Sequence, residues 1–251
     1  MRPDAPFYPE CFRALQESPF CRGLNEQLLE DMLRLFIRRT WSRGSRIMEN
    51  RHQDSFHILI RGRIELTRMH PETGRKITLW FLGPGDGYDI ISLLDGSGHD
   101  IMPVVLDEVE TLTTSLETMR QWIFMHPDFN RSFLPYVGRR MRELENLSTD
   151  LALHDTITRL ARLILHHVDP ECRSHGGPAY PVRLINDLSH DALASMVGSV
   201  RTVVNRHLQQ LKKQGAVDFH RGHLAVTNLE ALAAQAGRYL HRINSRHPPE
   251  Q

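Results

Sequence analysis

The chain is poor in cysteine, has almost no net charge, and contains no long apolar run; each shortage removes a class of protein. Three cysteines in 251 residues, Cys11, Cys21 and Cys172, are too few and too scattered for a disulfide framework or a CxxC metal site, so free thiols are expected. A cysteine-ligated iron–sulfur cluster usually needs four ligands and is disfavoured for the same reason. No segment approaches the ~20 consecutive apolar residues of a membrane span. The opening Met1–Pro6 also lacks the apolar core of a signal peptide, so a cytoplasmic location with no membrane partner is expected. A net charge of +1 says nothing about partners taken globally. Nor does any Ser/His/Asp grouping, phosphate-cradling glycine loop or supported carboxylate pair stand out; Gly83-Pro84-Gly85 is a turn. No catalytic and no metal-binding residues are therefore assigned, and no enzyme is expected. His166 and His167 are helix neighbours, which do not face one site.

What is present is ordinary soluble-protein composition, 40% hydrophobic and 24% charged, over a length that suits two domains. The most informative stretch is Ser189–Leu208. Leu193, Met196 and Val197 recur at helical spacing behind Ser189, a good N-cap. After a turn at Val197-Gly198-Ser199, a second helix places Val200, Val203, Val204, His207, Leu208 and Leu211 on one face. Arg201, Thr202, Asn205, Arg206 and Gln209 fall on the other. Ser199 is the expected cap of this second helix, and Gly198 frees the bend of a Cβ. Two short alternating runs around Arg221-Gly222 follow and read as a β-hairpin wing. A short helix, a glycine turn and a helix with a basic outer face form a helix-turn-helix, which lays its second helix in the major groove of double-stranded DNA. A plain αα-hairpin with solvated arginines is the alternative; the wing, and arginines in the first two turns, weigh against it. Arg201, Arg206, Lys212 and Lys213 supply the local positive charge that such a partner requires.

Upstream, Asn25 is placed to cap a short amphipathic helix. From about Phe36 to Leu116, short runs end at turn residues: Phe56–Ile60 at Arg61-Gly62-Arg63, Ile64–Met69 at His70–Gly74, and Lys76–Leu82 at Gly83–Asp86. Short strands with Gly and Pro punctuation predict an antiparallel sandwich or barrel. Pro127 to about Leu153 reads as helix, its regular part starting near Pro135 and Gly138, which are poor interior residues. Val137, Met141, Leu144, Leu147 and Leu151 form a narrow apolar seam between charged flanks, the pattern of a dimer interface, although a helix packed on its own sheet explains the seam equally. A further helical stripe runs from Asp155 to His167, and Val182–Ile185 reads as a strand. The expected division is 1–126, a sensor with N-terminal helices; 127–153, a dimerisation helix; and 154–251, a DNA-binding domain.

In this order the parts resemble the cyclic-AMP receptor protein / fumarate–nitrate regulator (CRP/FNR) superfamily of bacterial transcription regulators. The resemblance is carried by Gly62-Arg63-Ile64, Leu82-Gly83-Pro84-Gly85-Asp86, the leucine-rich helix, Arg159-Leu160-Ala161, and Gly198-Ser199-Val200-Arg201-Thr202-Val203. It implies an α+β chain with an N-terminal β-roll (a cyclic-nucleotide-binding-like jelly roll), a long dimerisation helix and a C-terminal winged helix-turn-helix. It further implies a homodimer acting on inverted-repeat DNA, with RNA polymerase as a further partner. By the same resemblance Arg201 and Arg206 match base-reading arginines. Thr202 replaces a usual glutamate, which leaves the base facing it open, and Ser199, Asn205 and Lys212 match phosphate contacts.

The sensor departs from the cyclic-nucleotide pattern. Where binders carry a ribose-binding glutamate and a phosphate-binding arginine, this chain aligns Tyr88-Asp89-Ile90 and His99-Asp100, and on the long helix Leu144 and Glu145. Ile90 accepts no ribose hydroxyl, Asp89 and Asp100 repel phosphate, and no arginine lies between Arg75 and Arg120; cyclic AMP is disfavoured. Haem, with His57, His99, Cys11 or Cys21 as axial ligand, is one alternative. An acid-tolerant effector or none at all is a second, and a nucleotide at another face a third. The rival to a DNA-binding regulator is a cyclic-nucleotide-like or haem-binding sensor module without direct DNA readout.

Overall fold

The computed structural model describes residues 1–45, 54–98, 100–168, 179–220 and 223–237. The chain divides into two compact units, residues 1–70 with 79–145, and residues 71–78 with 146–251.

In the first unit, α1 (Tyr8–Glu17) and α2 (Glu26–Arg34) precede the strands. Asn25 caps α2 as the sequence predicts, its side chain accepting from Leu28 N at 2.8 Å. The strands are β1 (Ile37–Trp41), β2 (Ser55–Arg61), β3 (Ile64–Met69), β4 (Lys76–Leu82), β5 (Gly87–Tyr88), β6 (Met102–Val105) and β7 (Val109–Ser115). They form two sheets, ordered β1-β7-β2-β5 and β4-β3-β6, in which β1 and β2 flank β7, and β6 flanks β3, all antiparallel. Strand β2 shows how the core is divided. Its period of two sends Phe56, Ile58 and Ile60 into a core shared with α1 and α2, while Leu59 joins Ile64, Leu66, Leu82, Val105 and Val109 in a second core drawn from both sheets. A strand covered on both faces accounts for a nearly continuous apolar run.

Gly62 makes the β2–β3 turn at φ +83°, and a Cβ there would lie 2.5 Å from Glu108 O. The neighbouring Arg63 ties this turn to the β6–β7 turn through a bidentate pair with Asp107, at 2.6 and 2.8 Å.

After β5 come α3 (Ile90–Asp95), α4 (Leu116–Met125) and α5 (Pro127–Leu153). The long helix runs its full 27 residues and passes straight through Pro135 and Gly138, which were expected to delay it. Burial of Phe129, Phe133 and Tyr136 on one face fixes this part of the helix and outweighs the missing Pro135 N–H.

The second unit holds the end of α5, then α6 (Thr156–His166), β8 (Tyr180–Pro181), α7 (His190–Met196), α8 (Arg201–Lys213), β9 (Val217–His220), β10 (His223–Val226) and α9 (Leu229–Gln235). The strands form one sheet in the order β8-β10-β9. The strand expected at Val182–Ile185 is not there: β8 is only Tyr180–Pro181, Val182 makes a lone bridge to Val168, and Leu184 adopts φ +62°, which no strand accommodates. Arg162 fastens the unit together, donating to Ala236 O at 3.0 Å beyond α9 and pairing with Asp150 on α5.

Candidate functional site

Helix α7 is capped by Ser189, which accepts from Ala192 N at 3.2 Å, and it buries Leu193, Ala194 and Met196. The turn follows at once. Gly198 stands at φ +60°, and a Cβ there would meet Leu151 Cδ2 at 2.6 Å, so both conformation and space select glycine. Arg75, from the 71–78 segment of the same unit, donates to the Gly198 carbonyl at 2.9 Å.

Helix α8 divides as its periodicity demands. Val204, Leu208 and Leu211 are buried, Val203 and His207 half-buried, and Arg201, Thr202, Asn205, Arg206, Gln209 and Lys212 exposed. Two expectations fail at its start. The N-cap is Val200, not Ser199, and no side chain caps it; Ser199 is engaged through its backbone N–H, which donates to Ala194 O at 2.8 Å. Val200 is also 55% exposed and no part of the packed face. The turn is one residue longer than the hydrophobic spacing suggests: Val200 is in extended backbone as the N-cap, and the helix begins at Arg201. First-turn N–H groups without a side-chain cap, beside Arg201, suit an anionic oxygen.

The basic face carries two acidic restraints that the sequence did not reveal. Arg201 Nη1 lies 3.3 Å from Asp191 Oδ2 on α7, with both side chains about two-thirds exposed, and Lys212 Nζ lies 2.7 Å from Asp218 Oδ1 on β9. Asp191 is ten residues from its partner, and only the tertiary crossing of α7 and α8 brings them together. Arg206 has no carboxylate within ion-pair distance among the described residues. The wing strands pair in register, His220 opposite His223 and Val217 opposite Val226; their turn at Arg221-Gly222 lies outside the described residues.

In the first unit a cavity of about 240 Å³ opens between the sheets, α3 and α5. Of the residues predicted for an effector, Asp89, Ile90 and Leu144 line it, joined by Leu66, Trp80, Leu82, Ile91, Leu94, Val137 and Met141. Tyr88 is not in the lining; it is buried in the inter-sheet core, and burial pushes its phenol well above the usual tyrosine range. Asp100 lines a separate polar recess with Asp54, Ser97 and Arg120. Glu145 is exposed and outside the lining, and His99 lies outside the described residues.

Several lining residues were not anticipated from the sequence, and the basic one among them matters most. Arg140 reaches the cavity from α5. Its guanidinium pairs with Asp86, donates to Glu143 at 2.8 Å, and meets the Tyr136 hydroxyl at 3.1 Å. Burial opposes its charge, but Asp86 and its other partners hold it protonated more firmly than an ordinary arginine. Burial, then Asp86, lifts the Tyr136 phenol above its usual range. The same hydroxyl accepts from Gly87 N at 3.0 Å, so the network fixes the turn leading into α3.

A family profile described as "Crp-like helix-turn-helix domain" matches residues 158–235. The global nitrogen regulator of Synechocystis is 30% identical over 182 residues, 71% of this chain and 79% of that protein. The chain belongs to the CRP/FNR family. This regulator with a helix-turn-helix DNA-binding domain is also 26% identical over 183 residues to the CRP-like cAMP-activated global transcriptional regulator of Mycobacterium tuberculosis, covering 73% of this chain and 80% of that one. In fold it is similar to a CooA mutant from Carboxydothermus hydrogenoformans, with a TM-score of 0.69 at 17% identity over 82% of this chain and 90% of that one.

Within this CRP/FNR-family chain the residues of the predicted seam differ in exposure. Met141 is 67% exposed, and Val137, Leu144, Leu147 and Leu151 are half-buried. Leu151 is drawn against the Gly198 turn, and Leu134 and Leu153 add exposed apolar surface that the seam reading did not include. Of the proposed haem ligands, Cys11, Cys21 and His57 do not line the cavity. Cys11 and Cys21 lie in the helix-covered core, where burial pushes both thiols up, and His57 is buried on β2 with Nδ1 2.9 Å from Thr113 Oγ1. Cys172 lies outside the described residues. Among the described residues no cluster of His, Cys, Asp and Glu could hold a metal, and no helix is long and apolar enough to cross a membrane.

Proposed function

We propose that this family member is a homodimer that reads inverted-repeat DNA with α8, and that its β-roll has lost cyclic-AMP binding. One observation carries the DNA reading: every polar residue assigned to the outer face of α8 is exposed, while Val204, Leu208 and Leu211 bury the inner face. Arg201 and Arg206 then reach base edges, and Asn205 and Lys212 hold phosphate. Ser199 joins them at the N-terminus of α8, beside the uncapped amides.

Pairing of α5 through its exposed apolar residues places two recognition helices on one face of the DNA, with half-sites about 10–10.5 base pairs apart. Loss of cyclic AMP is supported by Ile90 and Leu144 at the cavity wall, and by an arginine there that Asp86 and Glu143 already occupy. Regulation then works by shifting the dimer between two states, which a ligand achieves only by binding one of them better. RNA polymerase is the downstream partner, and no catalytic role is assigned.

The test is fluorescence anisotropy with a labelled inverted-repeat duplex across a salt series. Affinity should fall by orders of magnitude between about 50 and 200 mM salt, as release of counterions from several phosphates requires. A flat salt response, or equal affinity for every sequence, would refute the reading. A sensor module without DNA readout predicts that flat result, and nothing in the exposure of α8 favours it.

A further inference from the structure

We infer that the β-roll cavity is a binding site for an uncharged, largely hydrocarbon molecule of about two fused rings. This rests on the reading of the first unit as a sensor, and it names the chemistry sensed.

Size comes first. A cavity of about 150 Å³ lined by Leu, Ile and Phe stays dry and takes up benzene, whereas sites for drug-sized ligands run from about 300 Å³. At about 240 Å³ the cavity falls between the two, room for a bicyclic ring but little more. Its walls are side chains from four elements: Leu66 of β3, Trp80 and Leu82 of β4, Ile90 and Ile91 of α3, and Leu144 of α5. Apolar walls on all these sides reward displacement of water by an apolar body, and penalise any polar atom left without a partner.

Charge is decided by the groups at the edge. Arg140 is the one cation in the lining among the described residues, and it already pairs with Asp86 and donates to Glu143. Asp89 and Asp95 stand on the other side, so an anion would meet two carboxylates and a guanidinium that is already engaged. No histidine or cysteine lines the cavity among the described residues, so no imidazole or thiolate is there to hold a haem iron. An occupant would touch Met141 and Leu144, residues that also belong to the proposed dimer seam, so filling the cavity acts on the helix that pairs the two chains.

The test is equilibrium dialysis of the full chain against naphthalene and, separately, against 3′,5′-cyclic AMP. Naphthalene should be retained at one per chain with saturation, and cyclic AMP should not be retained at tenfold higher concentration. Leu144→Trp and Leu94→Trp, which fill the cavity from α5 and from the rim of α3, should each weaken naphthalene binding at least tenfold. Each variant is used only if it unfolds cooperatively; Leu94 is half-exposed and tolerates bulk.

Retention of cyclic AMP, displacing naphthalene, would overturn the inference. So would naphthalene bound equally well by both folded variants. Retention of neither probe by a chain that sediments as a dimer would overturn it too, with the cavity covered by a second copy. DNA binding is measured apart: a chain that retains naphthalene but ignores DNA sinks the regulator reading and leaves the cavity assignment standing.

Discussion

If α8 reads DNA as proposed, Arg201 approaches it from an ion pair, whereas Arg206 has no carboxylate within ion-pair distance among the described residues. The consequence is an asymmetry between two arginines that look alike in sequence. The Arg201–Asp191 pair is 3.3 Å long and exposed on both sides, so it contributes about 0.2–1 kcal/mol before DNA arrives. A bidentate guanine contact contributes about 1–3 kcal/mol. Reaching the base breaks the pair, and Arg201→Ala should therefore cost less affinity than Arg206→Ala, whose expected loss of about 1–3 kcal/mol corresponds to roughly 5- to 150-fold.

Asp191→Asn frees Arg201 and should tighten binding by roughly 1.4- to 5-fold, the exposed pair's worth. In an Arg201→Ala background the same change should do nothing, and that double-mutant cycle isolates the pair from a general repulsion between Asp191 and phosphate. Anisotropy at about 100 mM salt measures all four proteins, and the gain should shrink as salt screens the pair. Weaker binding by Asp191→Asn, or a gain that survives Arg201→Ala, would refute the reasoning.

Three further outcomes concern the scaffold. Gly198→Ala forces a side chain into φ +60° against Leu151; the left-handed conformation alone costs about 1–2 kcal/mol, and thermal unfolding should register a fall of several degrees. Arg140→Leu leaves Asp86 facing a buried cluster without its cation. With side chains 13% and 18% exposed, the loss should lie near the low end of the about 3–5 kcal/mol typical of broken buried pairs, and adding Asp86→Asn should recover part of it in denaturant titrations. Asp155 caps α6, and its hydrogen bonds from Thr158 hold its carboxyl below the usual carboxylate range. A carboxyl lowered by folding stabilises above its unfolded pKa and loses that contribution as pH falls through the folded value. Acid titration of stability should therefore be flatter below pH ~4 for Asp155→Asn, and Asp155→Ala should lose about 0.5–2 kcal/mol at neutral pH.

Much of this was legible because local signals and tertiary packing agree. The faces of α8, the bounds of α5, the strands β2 to β4 and the caps Asn25 and Ser189 follow from periodicity and turn chemistry. What escaped is what only the folded chain creates. Pro135 argues for a break, yet buried aromatics carry the helix across it. Val182–Ile185 has strand composition, yet Leu184 turns left-handed. Ser199 looks like a cap, but the turn needs it as backbone. The effector alignment named Asp89, Ile90 and Leu144, which line the cavity, while Arg140, Trp80 and Leu66 reach it from positions that no single motif unites. Asp191 and Asp218 restrain the basic face across element boundaries, beyond the reach of any helical spacing.

The most direct test of the central claim is selection from a random duplex library by the intact chain, repeated with Arg201→Ala/Arg206→Ala. The wild-type chain should enrich inverted repeats whose half-sites lie about one helical turn apart, and the double variant should lose that enrichment while remaining folded. Enrichment of no repeat by the wild-type chain, or the same repeat recovered by the double variant, would contradict the account.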